Sequence, residues 1–485
     1  MTIQSEARPQ TDEISHPLSP QDWLLVALRL WGLILLTLHL AAPQLPEAAS
    51  WSVWPYTFLP NWLGWLLALL AGSLMMPMVS QTVLRGLQRL WNLLPGKQRP
   101  YRWFALIALL SGGLFWLARL QHLKWGDSYL LSIALSYHDL ELRVIYNWQA
   151  PFTVFLHQRL WQFVADPLLG WPVEYVYATT SIISGIIFIF LLLTFLSRLG
   201  RDTLETVFLV GLMVTTGSIQ LFFGYVENYT LISVWLMLTL FLSWRALQNE
   251  ILPVWPVLGL ALTNAFHPST VFLWPGMWLL VWLSWRRDYV SLQTALWQLL
   301  APPFVVGGAV LALMESGDHG ISSFLGVDRP GGGDGIWFVP LFETTTQWEH
   351  YTMFSADHFI DWGNIHLLIS PFGIPLIILS LLTIRYFRLT IFDHRPDKDF
   401  ALFLGVTAAM YILLTWLWNP DYGGRKDWDL FAPSAFVYTL FGGYLLVRIV
   451  DNRKNLAENA LFIVIVSLLH TGAWIFTNTQ ELPRE

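Results

Sequence analysis

Residues 174–197 read EYVYATTSIISGIIFIFLLLTFLS, an apolar run with one charged residue, Glu174, at its start and Arg198 and Arg201 just beyond its end. A helix crosses the roughly 30 Å of bilayer hydrocarbon with about 20 residues, and this run is long enough to do so. In hydrocarbon every backbone N–H and C=O needs a partner within the structure, so the run is a membrane-spanning helix. Comparable runs recur along the 485-residue chain, which is 55% apolar and only 12% charged. Apolar length, charged interruptions and Trp or Pro boundaries place spans at 23–42, 61–84, 103–120, 174–197, 207–223, 229–246, 253–266, 269–285, 296–315, 364–384, 400–418, 431–447 and 458–477. The expected fold class is an all-α polytopic membrane protein with about 13 transmembrane helices.

Residues 1–22, a polar stretch holding Pro9 and Pro17, read as a mobile cytoplasmic tail without the basic-then-apolar pattern of a cleavable signal. Many of the 28 Trp residues, such as Trp23, Trp103, Trp285 and Trp418, sit at the ends of apolar runs, where an indole suits the headgroup layer. With the N-terminus in the cytoplasm, most Lys and Arg fall inside, among them Arg85, Arg89, Lys97, Arg99, Arg198, Arg201, Arg286, Arg287 and Arg448. The C-terminus is then outside, and the outer face is acidic. Two outer loops are long, 121–173 and 316–363. The first holds short interfacial stretches at Tyr129–Tyr137 and Phe152–Val164, and the second a glycine run, Arg329–Gly335, suited to a lid or a plain connector. A net charge of −6 argues against nucleic acid as a partner, and the absence of Cys excludes disulfides and thiolate chemistry. No phosphate loop, His-Glu-x-x-His pair or Gly-x-Ser-x-Gly elbow is present.

Five outer segments carry candidate chemistry. In Lys124-Trp-Gly-Asp127-Ser-Tyr129, Asp127 either works on a substrate at the membrane surface or caps the helix beginning at Ser128. In Phe223-Gly-Tyr-Val-Glu227-Asn-Tyr229, Glu227 is almost immersed, which is costly unless it is paired or faces water. His267, in Ala265-Phe-His-Pro-Ser269, supplies an imidazole that binds an anion as a cation, ligates a metal when neutral, or is structural. His358, Asp361 and Asn364 recur every three positions and share one side of a helix. Asn419-Pro-Asp-Tyr-Gly-Gly-Arg425-Lys426-Asp427-Trp-Asp429 contains an adjacent basic pair, fit for a phosphate or for local ion pairs with Asp427 and Asp429.

An Asp directly after an outward-leading helix, a long first outer loop, a second acidic residue two helices later and a long later loop resemble the GT-C glycosyltransferase superfamily. That superfamily includes protein O-mannosyltransferases, aminoarabinose transferases and oligosaccharyltransferases. Gly126-Asp127-Ser128 is similar to its first-loop acidic motif, Asn147-Trp-Gln-Ala-Pro151 to the Pro-containing stretch that follows in mannosyltransferases, and Tyr225-Val-Glu227 to its second acidic position. Arg425-Lys-Asp-Trp-Asp-Leu-Phe-Ala432 resembles a segment of uncharacterised bacterial members. Ser128 stands where mannosyltransferases usually carry Glu.

The resemblance implies a GT-C-like module over 103–485, with long outer loops after its first and seventh helices, preceded at 23–102 by two additional helices and a basic cytoplasmic loop. It implies a bacterial inner-membrane enzyme moving a sugar from a polyprenyl-phosphate carrier to a glycan, lipid or protein acceptor. Asp127 and Glu227 are its expected catalytic residues, with or without a divalent metal (Mg or Mn) on them. His267, His358, Asp361, Arg425, Lys426, Asp427 and Asp429 are the expected substrate-binding residues. Two other readings fit the composition: a transporter or flippase for a lipid-linked or anionic solute, and a non-catalytic membrane scaffold.

Overall fold

The computed structural model describes residues 19–93, 100–137, 144–326 and 336–482. The run Arg329–Gly335, the basic residues Lys97 and Arg99 and most of the N-terminal tail lie outside those residues. Nineteen α-helices are described: α1 Pro20–Ala41, α2 Glu47–Ser50, α3 Asn61–Ser73, α4 Pro77–Leu93, α5 Pro100–Leu117, α6 Ser128–Leu135, α7 Pro151–Leu160, α8 Val173–Leu199, α9 Thr203–Val214, α10 Tyr229–Leu247, α11 Val254–Phe266, α12 Trp274–Arg286, α13 Leu292–Glu315, α14 Ile321–Leu325, α15 Ala356–Ile369, α16 Gly373–Phe387, α17 Arg395–Leu417, α18 Trp428–Ile449 and α19 Arg453–Asn478. The only extended pairing among the described residues is an isolated bridge between Phe338 and Trp418.

Eight of these helices are long and apolar enough to cross a membrane, and ten spans result if each of two bent pairs counts as one. The thirteen spans read from the sequence are therefore not all single straight crossings. The stretch 61–84 divides into α3 and α4, which meet at 92°. Pro77 opens α4, a helix whose apolar residues interleave with Gln81, Arg85 and Gln88. The stretch around 364–384 divides into α15 and α16, which meet at 97°. At about 1.5 Å per residue, α9 and α11 are shorter than the hydrocarbon core. Each is prolonged by a 3-10 turn, 217–222 after α9 and 268–273 after α11, and those turns lead to Glu227 and away from His267.

The centre of the bundle is α18, in which nearly every side chain is buried. Small residues allow close neighbours there: a Cβ on Gly442 would stand 2.7 Å from Leu376 Cβ of α16, and one on Gly443 2.8 Å from Leu212 Cδ2 of α9. The outward faces of α3, α5 and α13 carry exposed apolar side chains, including Trp65, Leu69, Leu110, Leu117, Trp297 and Phe304, as lipid contact requires. Charges within the bundle are compensated. Arg29 donates to Asn459 Oδ1 at 2.7 Å and lies 3.9 Å from Glu458 of α19, which leaves α1 without an isolated charge. Glu205, wholly buried near one end of α18, is met by Arg201, Arg448 and Arg453 at 2.8–2.9 Å.

Candidate active site

The end of the bundle opposite Glu205 collects the starts of α6, α10 and α18. Asp127 immediately precedes α6, yet its side chain forms no capping bond. Its Oδ1 instead accepts the Tyr422 hydroxyl at 3.1 Å. Its backbone N–H donates to Glu227 Oε1, while Glu227 Oε2 accepts Asn228 N at 3.0 Å. Gly126 N donates to the Lys426 carbonyl at 2.9 Å. At Gly126 the backbone takes φ +51, and a Cβ there would stand 2.5 Å from Glu227 Oε1 and 2.8 Å from Asp429 Oδ2. Four carboxylates from three chain segments thus surround one glycine-bearing turn: Asp127, Glu227, Asp427 and Asp429. Asp427 Oδ2 accepts Tyr422 N at 2.8 Å, which closes the 419–427 loop on itself.

Burial and mutual repulsion set the charge state of this cluster. Desolvation first, then the neighbouring Asp429 and Asp127 carboxylates, push Glu227 well above the ordinary carboxylate range. Asp427 is raised by burial and then by Asp429 and Asp127. Asp127 is raised by burial, against the opposing effect of the Tyr422 hydrogen bond. Asp429 is raised to about 8 by burial and then by Asp127, and Asp127, Glu227 and Asp429 titrate together, so protons are shared among them rather than owned by one residue. Among the described residues no three acidic or imidazole side chains take up a metal-holding arrangement.

An open cavity of about 480 Å³ is walled by Arg119, His122 and Lys124 together with Glu174, Glu481 and the neighbours of Tyr225; none of the four carboxylates lines it. Its wall on the first loop ends at Lys124, three positions before Asp127 in the chain. Arg119 also lies 4.5 Å over the Trp116 ring. The first loop is held to α19 by Asn478, whose Oδ1 accepts Trp125 Nε1 at 2.7 Å and pairs with His122 Nε2 at 3.2 Å.

The other sequence candidates distribute differently. His267 is 3% exposed, its Nδ1 accepts Ser269 N at 3.2 Å, and burial lowers its imidazole to about 4. It caps the turn at Ser269, and its ring lies 5.1 Å from that of Tyr229. His358 bonds to the Met353 carbonyl at 2.7 Å and packs against Tyr351 and Trp416, so it folds the second loop. Asp361 and Asn364 do share a side of α15 with it, but both bind the segment after α1. Arg425 turns away from the carboxylates: its guanidinium meets Glu47 at 2.5 Å and stacks 4.7 Å over Trp54. Lys426 contributes its backbone carbonyl to Gly126.

Sequence reading missed Tyr422, Arg119 and His122. Tyr422 lay inside a quoted motif, but only folding could aim it at Asp127. Arg119 lies at the end of the third apolar run, 103–120, eight positions before Asp127, and a cation at that run end was a usable signal.

No family model and no curated protein matches the chain. Two solved structures are similar to it in part. One is ArnT from Cupriavidus metallidurans bound to undecaprenyl phosphate, with TM-score 0.49 and 10% identity over 79% of this chain and 78% of that one. The other is the Archaeoglobus fulgidus oligosaccharyltransferase tethered with an acceptor peptide, with TM-score 0.44 and 14% identity over 79% of this chain and 55% of that one. At these TM-scores and identities the likeness gives no residue a role.

Proposed function

We propose that this membrane protein transfers a sugar from a polyprenyl-phosphate carrier to an acceptor hydroxyl or amine at the extracytoplasmic face. The observation that carries the reading is the meeting of Asp127 and Glu227, 100 positions apart, on the loop whose preceding residues Arg119 and Lys124 wall an open cavity. Carboxylates that take a proton and cations that take a leaving phosphate are the two requirements of glycosyl transfer from a lipid phosphate. The motif resemblance to GT-C transferases agrees with it.

In this reading Asp127, in its ionised form, accepts the proton of the acceptor X–H as its heteroatom bonds to the anomeric carbon. The bond from that carbon to the phosphate oxygen breaks, and the lipid phosphate leaves with the electron pair. Glu227 holds the Asp127 backbone and, when protonated, lessens the repulsion on the Asp127 carboxylate. Arg119 and Lys124 face the departing phosphate; this role replaces the one expected of Arg425. Attack opposite the leaving group inverts the anomeric centre.

Protein in nanodiscs supplied with labelled polyprenyl-phosphate sugars tests this. Wild type is expected to release or transfer sugar, and Asp127→Asn to lose at least about 100-fold in kcat, the usual scale for a general base. Full activity in that variant removes Asp127 from the chemistry.

A further inference from the structure

The segment between α1 and α3 has no evident task in the site described above, yet it reaches the loop that carries Tyr422. Trp51 Nε1 donates to Asp361 Oδ1 at 3.1 Å. The other carboxylate oxygen of Asp361 accepts Tyr351 O–H at 2.9 Å and Gly424 N at 2.8 Å. One side chain therefore joins three stretches of chain: the turn after α1, the second long loop and the 419–427 loop. Both lone pairs of Oδ2 are taken, so Asp361 has little acceptor capacity left for a substrate. A Cβ on Gly424 would stand 2.4 Å from the same oxygen, a sign of how closely loop backbone and carboxylate are fitted.

From Gly424 the connections run on to the candidate base. Lys426 N and Asp427 N both donate to the Gly423 carbonyl at 3.0 Å. The Lys426 carbonyl receives Gly126 N, and Tyr422, one residue before Gly423, donates to Asp127 Oδ1. The loop thus touches the Gly126–Asp127 turn twice, once through backbone and once through a phenol. Glu47 and Trp54, on the same turn as Trp51, hold Arg425 at its outer edge.

We propose that Asp361 and Trp51 are positioning residues of the carboxylate site, acting through the 419–427 loop on Asp127. The segment that follows α1 is then a supporting wall of the site. This inference rests on the glycosyl-transfer reading for its kinetic consequences, whereas the mechanical coupling stands apart from it.

Three variants in nanodiscs test the idea: Asp361→Asn, Trp51→Phe and the double variant. An Asn that keeps its carbonyl toward Gly424 and Tyr351 turns its NH2 toward Trp51 Nε1–H, so two donors oppose each other. Phe at position 51 removes that conflict. Hydrogen–deuterium exchange is followed in peptides covering 419–431 and 121–131, alongside kcat, donor KM and the pH profile of transfer. Asp361→Asn is expected to speed exchange in both peptides about fivefold, the effect of losing one net hydrogen bond. Its kcat falls, donor KM stays within about twofold, and the acidic limb of the kcat profile moves to higher pH as the Tyr422 bond to Asp127 loosens. The double variant returns to about the level of Trp51→Phe, a rescue that general misfolding does not produce. Should Asp361→Asn not fold, Trp51→Phe carries the same expectations at smaller amplitude.

Unchanged exchange at 121–131 when 419–431 has loosened, or a wild-type pH profile in a variant with lowered kcat, overturns the proposal. If wild type moves no sugar from any donor, the glycosyl-transfer reading falls, and exchange at 121–131 alone decides the coupling.

Discussion

The Tyr422 hydroxyl donates to Asp127 Oδ1 at 3.1 Å, joining positions 295 residues apart in the chain. The phenol is itself raised by burial and by the Asp127 charge, so it remains a donor throughout the physiological range. A hydrogen bond to an ionised carboxylate favours the ionised form, and here it opposes the burial that raises Asp127.

Tyr422→Phe removes that opposition. The Asp127 carboxyl moves further up, and the acidic limb of the kcat profile shifts to higher pH. At neutral pH kcat is expected to fall about 10-fold, the scale of one charge-assisted hydrogen bond. A pH profile with an unmoved limb contradicts the link.

Gly126→Ala places a methyl group where Glu227 Oε1 and Asp429 Oδ2 already stand, on a backbone at φ +51 that β-carbon residues rarely adopt. The expected cost is roughly 1–3 kcal/mol, read as a lower unfolding temperature, with loss of transfer because the turn carrying Asp127 must shift. Wild-type transfer and unfolding temperature together are the result that contradicts this.

The raised carboxyls make stability fall as pH rises. Glu227 and Asp427 hold protons more tightly folded than unfolded, so their contribution is complete below the ordinary carboxylate range near 4. It is lost as pH climbs through their raised folded values. Thermal unfolding in nanodiscs is therefore expected at higher temperature at pH 5 than at pH 8. Glu227→Gln, neutral at every pH, narrows that difference; a wider gap in the variant rejects the assignment.

Arg119→Ala takes a guanidinium from the cavity that Arg119 and Lys124 wall. Donor KM is expected to rise about 10-fold, the scale of a charged contact to phosphate, and the loss depends on the phosphate rather than on the sugar. Arg425→Ala, with its partner at Glu47, leaves donor KM within about twofold under the same assay. Equal loss in both variants returns the phosphate to the 425–426 pair.

The sequence by itself determined the solvent, the helical class and the short polar segments worth attention. Apolar run length is a local property, and a run like 174–197 has one outcome in hydrocarbon wherever its neighbours lie. For the same reason Asp127 and Glu227 were visible as carboxylates at the ends of apolar runs. The bends at Pro77 and between α15 and α16 were not visible, since apolar length counts residues without regard to direction. Nor could adjacency in the chain say which way Arg425 turns: it reads as a partner of Asp427 in sequence but meets Glu47, 378 residues away, in the fold. Only tertiary structure decided that Tyr422, Glu227 and Asp429 converge on the Gly126–Asp127 turn. A side chain on a turn takes its partner from whichever helix end packs beside it, and that follows from how α6, α10 and α18 assemble.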